Sequence, residues 1–224
     1  MLDKILCSRG WQPGDRLAVQ IDEELSDDYP VVLFSAPGRR LVALTPELEV
    51  ALPALSQWLR DDVTITDVRE FLFGPEAPCG YERAFWLVPK ADAVLLPPSF
   101  PVVFDPPTAQ VKAFGKSLPQ LDWDMGGPIP YARRCAVMAG SRMAALASGR
   151  LDGGVLDLSY VVHPDFRGRG MGQAALSAII AAYPNAIPLW RTEEANAASM
   201  AAARRMGFEP IVTQDGIYLE EKEE

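Results

Sequence analysis

Between Val161 and Gln173 the chain reads VVHPDFRGRGMGQ, with three glycines and two arginines in the six residues from Arg167 to Gly172. An apolar run precedes this knuckle and a helical pattern follows it, so the segment joins a strand to a helix. The first turn of a helix has backbone N–H groups without internal partners. Those donors and the positive end of the helix dipole attract anions. Glycine lets the backbone approach a phosphate closely and take positive φ, and the forked guanidinium groups of Arg167 and Arg169 suit phosphate oxygens. RGRGMG therefore reads in one of two ways: as a cradle for a phosphate or diphosphate, or as a tight turn carrying exposed arginines. Two other phosphate loops do not fit. The chain lacks a Gly-x-x-x-x-Gly-Lys-Ser/Thr run, and Gln173 stands where a dinucleotide fingerprint has its third glycine.

The totals bound the rest. A length of 224 residues suits one large domain or two small ones. With 49% apolar and 23% charged residues, a packed core is expected. A formal net charge of -9 argues against nucleic acid as a partner. It suits a cationic substrate, and equally a protein that is simply acidic. The only histidine is His163, which excludes a two-His or His/Cys zinc site, so no metal is expected. Cys7, Cys79 and Cys135 are odd in number and scattered, and the opening MLDKILCSRGW is too short and charged for an export signal. Both features predict a reducing cytoplasm. No apolar run approaches the ~18 residues of a membrane helix, so no membrane is expected.

Around the knuckle, the elements that position it can be read from periodicity and punctuation. Residues 29–35, 40–44 and 82–90 read as strands. TPELEVALPALSQWLR reads as a helix that Pro53 bends or divides, and DVREFLFG as a second short one. Prolines crowd between Pro89 and Pro107, including Pro97, Pro98, Pro101 and Pro106, and predict a domain boundary. Past it come a strand at 101–104, a helix at 108–118 and a loop at 121–130. Two strands follow around a Gly140-Ser141 turn, then a strand at 155–162, a helix from Gly172, and a strand at 187–190. A helix ending at Gly207 follows, and FEPIVT and GIYLE close the chain as a strand pair. Such alternation implies a mixed sheet with helices on it, an α/β (α+β) protein.

Two motifs together resemble the GCN5-related N-acetyltransferase (GNAT) superfamily. VVHPDFRGRGMGQAAL resembles its acyl-CoA motif, Arg/Gln-x-x-Gly-x-Gly/Ala between strand and helix, through Arg167, Gly170 and Gly172. NAASMAAARRMGFEP resembles its Asn-x-x-Ala/Ser helix ending in Gly-Phe, through Asn196, Ser199, Gly207 and Phe208. The motifs stand 24 residues apart, from Gly172 to Asn196. The resemblance implies a mixed, mostly antiparallel twisted sheet flanked by helices over residues 96–224. Residues 1–95 would form a divergent N-terminal α/β extension on the acceptor side or at a dimer contact. It also implies an acetyl-CoA-dependent N-acetyltransferase, or, alternatively, a catalytically reduced acyl-CoA sensor.

The resemblance further implies a cofactor site. The acetyl-CoA diphosphate would lie on the amides of Arg169, Gly170, Met171, Gly172 and Gln173, beside Arg167 and Gly168. The pantetheine arm would pair with Val161 and Val162 between splayed strands and meet Asn196. A Val161 N–H would stabilise the developing oxyanion. Ala203 occupies the position where many members carry a tyrosine acid, leaving Ser199, Tyr218 or water for that role. Asp157 sits where members often carry Glu, on one strand face with Ser159 and Val161, as a candidate base or an ordinary carboxylate. Asp122 and Asp124 would bind a cationic substrate or sit solvated in a turn, and His163 belongs to a turn before the loop. The acceptor would be a small-molecule or peptide amine. Oligomeric state stays open, a homodimer included.

Overall fold

The computed structural model describes residues 1–26, 28–91, 93 and 100–219. Pro97 and Pro98 of the proline-rich connection, and the acidic tail from Glu220 to Glu224, lie outside the described residues. Among the described residues ten strands form one sheet. The N-terminal part contributes α1 (Leu2–Cys7), β1 (Leu17–Ile21), β2 (Val31–Ala36) and β3 (Arg39–Leu44). A 3-10 turn (Pro46–Ala51), α2 (Leu52–Trp58), α3 (Ile65–Phe73) and β4 (Cys79–Pro89) follow. Then come β5 (Val102–Phe104), α4 (Thr108–Lys116), α5 (Gln120–Gly126), β6 (Arg133–Ala139), β7 (Arg142–Asp152) and β8 (Val155–Val162). After the glycine knuckle lie α6 (Met171–Ala181), β9 (Ile187–Glu193), α7 (Ala197–Arg205) and β10 (Phe208–Leu219).

The strand order is β1-β3-β2-β10-β4-β9-β8-β7-β6-β5. Only β1/β3 and β8/β9 run parallel, and the other pairs are antiparallel. This is the mixed, mostly antiparallel sheet expected from the sequence. One consequence was not foreseen. β4 lies between β9 and β10, so a strand from the first 95 residues is built into the middle of the later sheet. The N-terminal strands continue that sheet through β10 rather than forming one of their own.

Strand alternation sorts the core by face. Leu156, Leu158 and Leu87 pack under α6 and α7, while Val31, Leu33, Val42 and Ile217 on the same face pack under α2 and α3. On the opposite face Val32, Phe34, Trp86, Val88 and Val155 pack against Ile5, Leu6 and Trp11, and Val161, Leu146 and Ala136 pack against Val111 and Phe114 of α4. That face is thus covered by α1 at one place and by α4 and α5 at another.

Several elements depart from the pattern reading. Pro53 divides the expected helix, falling in the first turn of α2, where its missing N–H costs nothing. The stretch expected as a loop at 121–130 begins with α5. Its turn-forming Gly127 and Pro128 only end it, and Trp123 packs against Gly115 of α4. FEPIVT and GIYL are not a pair but parts of one twelve-residue strand. Gln214-Asp215-Gly216 reads as a turn, yet Gln214 Oε1 accepts from Trp86 Nε1 at 2.7 Å and Asp215 pairs with Arg83 at 2.6 Å. These partners hold the polar residues in a strand.

Because the sheet is continuous, unfolding should be one cooperative event. Leu33→Ala in β2 and Leu156→Ala in β8 each remove a fully buried side chain, and each should cost about 2–5 kcal/mol. Both should shift the same denaturant transition. Two separable transitions, each moved by one substitution, would contradict the shared sheet.

Candidate active site

β8 and β9 pair from Val155↔Ile187 to Leu158↔Trp190 and no further. Both strands continue, but with other neighbours: β8 with β7 as far as Ala145↔Val162, and β9 with β4 as far as Ala84↔Glu193. The sheet therefore opens between them. A cleft of about 900 Å³ fills the gap, walled by Leu158–Val162 on one side and Trp190, Arg191 and Glu193 on the other. Leu121, Asp122 and Met125 of α5 line it, as do the first turn of α6 and the residues of α7 that face it. The Tyr160 ring stands edge-on to Trp190, with centroids 5.2 Å apart. Burial pushes the Tyr160 phenol above its ordinary pKa.

Backbone direction within the cleft follows from one hydrogen bond. His163 N–H donates to Ala144 O at 2.9 Å. In an antiparallel pair this direction repeats at every second residue. With the β7/β8 register, Ser159 and Val161 turn their N–H and C=O toward β7. Tyr160 and Val162 turn theirs toward the split, and Arg167 Nε reaches the Val162 carbonyl at 3.4 Å. The Val161 amide expected to face the reaction is thus committed to the sheet, although its side chain lines the cleft.

The knuckle is built for close approach. Gly168 (φ 74°) and Gly170 (φ 76°) take left-handed backbone that side chains disfavour. Gly170 is the N-cap of α6, and no side chain caps that helix, leaving its first amides free for a ligand. Gly172 has a different task. A Cβ there would come within 2.7 Å of Val162 Cγ2 and 2.9 Å of the Tyr160 ring, so its bareness seats the helix on β8. Arg167 is less available than the sequence suggests, since its guanidinium binds Asp122 of α5 at 2.5 Å. Arg169 lies over the Phe166 ring at 5.7 Å. Met171 and Gln173 line the cleft.

From the other wall, Asn196 caps α7, its Oδ1 accepting from Ser199 N–H at 3.0 Å. Ser199 Oγ accepts from Trp190 Nε1 at 3.0 Å and keeps its own hydrogen to donate. Both residues line the cleft, while Ala203 is buried in the core.

Two expected catalytic residues do not reach the cleft. Asp157 is 6% exposed and is gripped by Arg191 through Nε at 3.2 Å and Nη2 at 2.7 Å. Arg9 and Arg150 add contacts at 3.3 and 3.9 Å. A carboxylate whose oxygens are engaged by three guanidinium groups, and which does not line the cleft, is not placed to take a substrate proton. Asp157 is therefore an anchor rather than a base. Tyr218 pairs with Gly80 and packs edge-on against Tyr29 at 6.1 Å, outside the cleft lining. His163 Nδ1 accepts from Asp165 N–H at 3.2 Å, within the turn that leads to the loop. Asp124 is held by Gln120 on α5.

A carboxylate missed in the sequence does line the cleft. Glu193 lay beyond the strand expected at 187–190, but β9 runs three residues longer and carries it. Leu189 pairs with Asp157, so alternation puts Arg191 and Glu193 on the Asp157 face, beside Ser159 and Val161. Burial raises the Glu193 pKa, and the charge of Glu82 and a hydrogen bond with it raise it further. Tyr29 donates its phenolic hydrogen to Glu82. That bond pushes the Tyr29 pKa up to about 12.

The ten-stranded sheet that opens beside a bare helix N-terminus can be compared with known proteins. Residues 108–208 match the Acetyltransferase (GNAT) family. Over that stretch, a little under half of the chain, it is similar to a GNAT acetyltransferase domain. A search of curated proteins finds no match. Among solved structures, the chain is similar to an acetyltransferase of the GNAT family from Colwellia psychrerythraea, at 15% identity and TM-score 0.52, covering 80% of this chain and 76% of that one. It is also similar to a GCN5-related N-acetyltransferase-like protein from Streptococcus suis 89/1591, at 14% identity and TM-score 0.51, covering 85% and 84%. At these identities the likeness is one of fold.

The half-buried Glu193 has a signature in stability. A raised folded-state pKa means that its contribution is fully present below the unfolded value of 4.5 and is lost as pH rises through the folded value. Glu193→Gln should therefore be more stable than the parent at neutral pH, and the gain should vanish in acid below 4.5. Denaturant midpoints across this range test it. Destabilisation at neutral pH would contradict the strained carboxylate.

Proposed function

We propose that the protein is an acetyl-CoA-dependent N-acetyltransferase that works by direct attack of an amine. The observation that carries this reading is the opening of the sheet between β8 and β9 beside the uncapped N-terminus of α6. The residues present fit an acyl-CoA. Gly168 faces open space and no side chain caps the first turn of α6, which suits a diphosphate. The free strand edge at Tyr160 and Val162 suits an extended arm with amide groups, and Asn196 keeps its amide hydrogens for that arm.

Acetyl-CoA supplies an activated acyl carbon as a thioester. The Tyr160 N–H, turned into the split, donates to the acyl oxygen as negative charge develops there. Val162 takes the strand-pairing role. The acceptor arrives as an ammonium ion, and Glu193 removes one proton, which passes to solvent by way of Glu82. The freed amine forms the C–N bond as the C–S bond breaks, and the electron pair leaves on sulfur. The second amine proton neutralises the thiolate, a tolerable leaving group that Ser199 can hydrogen-bond. Positioning carries most of the acceleration.

Thermal shift with acetyl-CoA tests the binding half of this reading. At about 100 times its Kd the ligand should stabilise the protein by about 2.7 kcal/mol. Gly170→Glu should abolish the shift, because its carboxylate would occupy and repel the diphosphate. No shift at saturating acetyl-CoA would overturn the proposal. For the chemistry, Glu193→Gln should lower kcat by about 100-fold or more and remove the acidic limb of the pH–rate profile. An unchanged profile would remove Glu193 from the role of base.

A further inference from the structure

On the face shared by α1 and α5, the apolar cover is interrupted by a polar strip of sheet. Asp157, Ser159, Arg191, Glu193 and Glu82 occupy it, and Arg9 reaches in from the end of α1. The charges in this strip do not cancel locally. Arg9, Arg150 and Arg191 converge on Asp157 alone, and Glu24 influences Arg9 only as the least of its neighbours. Burial and the nearby Arg191 charge together depress the Arg9 pKa. The bidentate grip of Arg191 on Asp157 uses Nε and Nη2, and its Nη1 hydrogens have no partner among the described residues. Arg191 lines the cleft, with 41% of its side chain exposed.

Two residues further along β9 the sign reverses. Glu193 lines the same cleft, with the Glu82 carboxyl hydrogen-bonded to it from outside the lining. Alternate residues of a strand stand about 6.7 Å apart. A surplus of positive charge and a surplus of negative charge therefore lie side by side on one wall. A simple amine would answer only the second. A molecule carrying an amine and a carboxylate a few bonds apart answers both.

We infer that the acceptor is a small amino acid, docked with its carboxylate on Arg191 and its amine on Glu193. This rests on the acyltransferase reading of the same cleft. The carboxylate dock acts as a specificity device: it rejects amides and peptides, which leave the Arg191 guanidinium unanswered, and it aims the amine at the acyl carbon.

Thiol release is measured with full-length protein, acetyl-CoA and matched acceptors. These are free amino acids with α, β and γ spacing of amine and carboxylate, their carboxamides, and the corresponding amines without a carboxyl group. For the best spacing, kcat/KM should favour the free acid over its carboxamide by about tenfold or more. Arg191→Gln should collapse that ratio and Arg191→Lys should keep part of it. Arg9 and Arg150 remain on Asp157 in both variants. Equal use of acids and carboxamides, turnover of none of the panel by protein that binds acetyl-CoA, or a ratio unchanged in Arg191→Gln would overturn the inference and leave the cofactor reading standing. Absence of an acetyl-CoA thermal shift would instead overturn the acyltransferase reading. The carboxylate dock would then be judged by whether free amino acids stabilise the parent but not Arg191→Gln.

Discussion

Two neighbouring strands that stop pairing leave unsatisfied backbone groups inside a sheet, and the rest of this molecule is arranged to hold that costly state. β8 cannot close on β9 because eight residue pairs tie it to β7. β9 cannot follow β8 because Ala84 to Leu87 of β4 pair with it from Trp190 to Glu193. The cost falls on the amides of Tyr160 and Val162 and on the Tyr160 carbonyl, which face the gap, while Arg167 Nε reaches the Val162 carbonyl. A substrate with its own amide groups can satisfy them, which is why a structural liability becomes a binding edge.

The same divergence organises the electrostatics. On the α6 side it brings the bare first turn of a helix to the mouth of the gap, with Gly172 letting that helix settle on the strand. On the α1 side it parts the apolar cover and leaves charged residues in a partly dry place, where like charges perturb one another strongly. Arg9 and Glu193 are displaced from their usual pKa values in ways that follow from this crowding. The Arg167–Asp122 pair bridges the two sides, tying the phosphate-type loop to α5 across the cleft.

Much of this was legible in the sequence where local pattern and chemistry coincide. The knuckle from Arg167 to Gln173, the Asn196 cap, and the strands and helices around them could be read because glycine spacing and apolar period speak locally. What escaped depended on partners distant in the chain. Asp157 looked like a base until Arg9, 148 residues away, and Arg191 proved to hold it. Glu193 was not singled out because pairing with β4 prolongs β9 beyond its apolar core. The Val161 amide was misdirected because strand alternation alone does not say which neighbour a residue faces. β10 looked like a hairpin until its polar centre found Trp86 and Arg83.

Residue-resolved amide hydrogen exchange, with and without acetyl-CoA, tests the central claim that the open strand edge and the α6 amides form one binding surface. Exchange should slow together at Tyr160, at Val162 and across Gly170 to Gln173, while Val161, already bonded within the sheet, should change little. Protection confined to the loop, or protection of Val161 without Tyr160 and Val162, would contradict it.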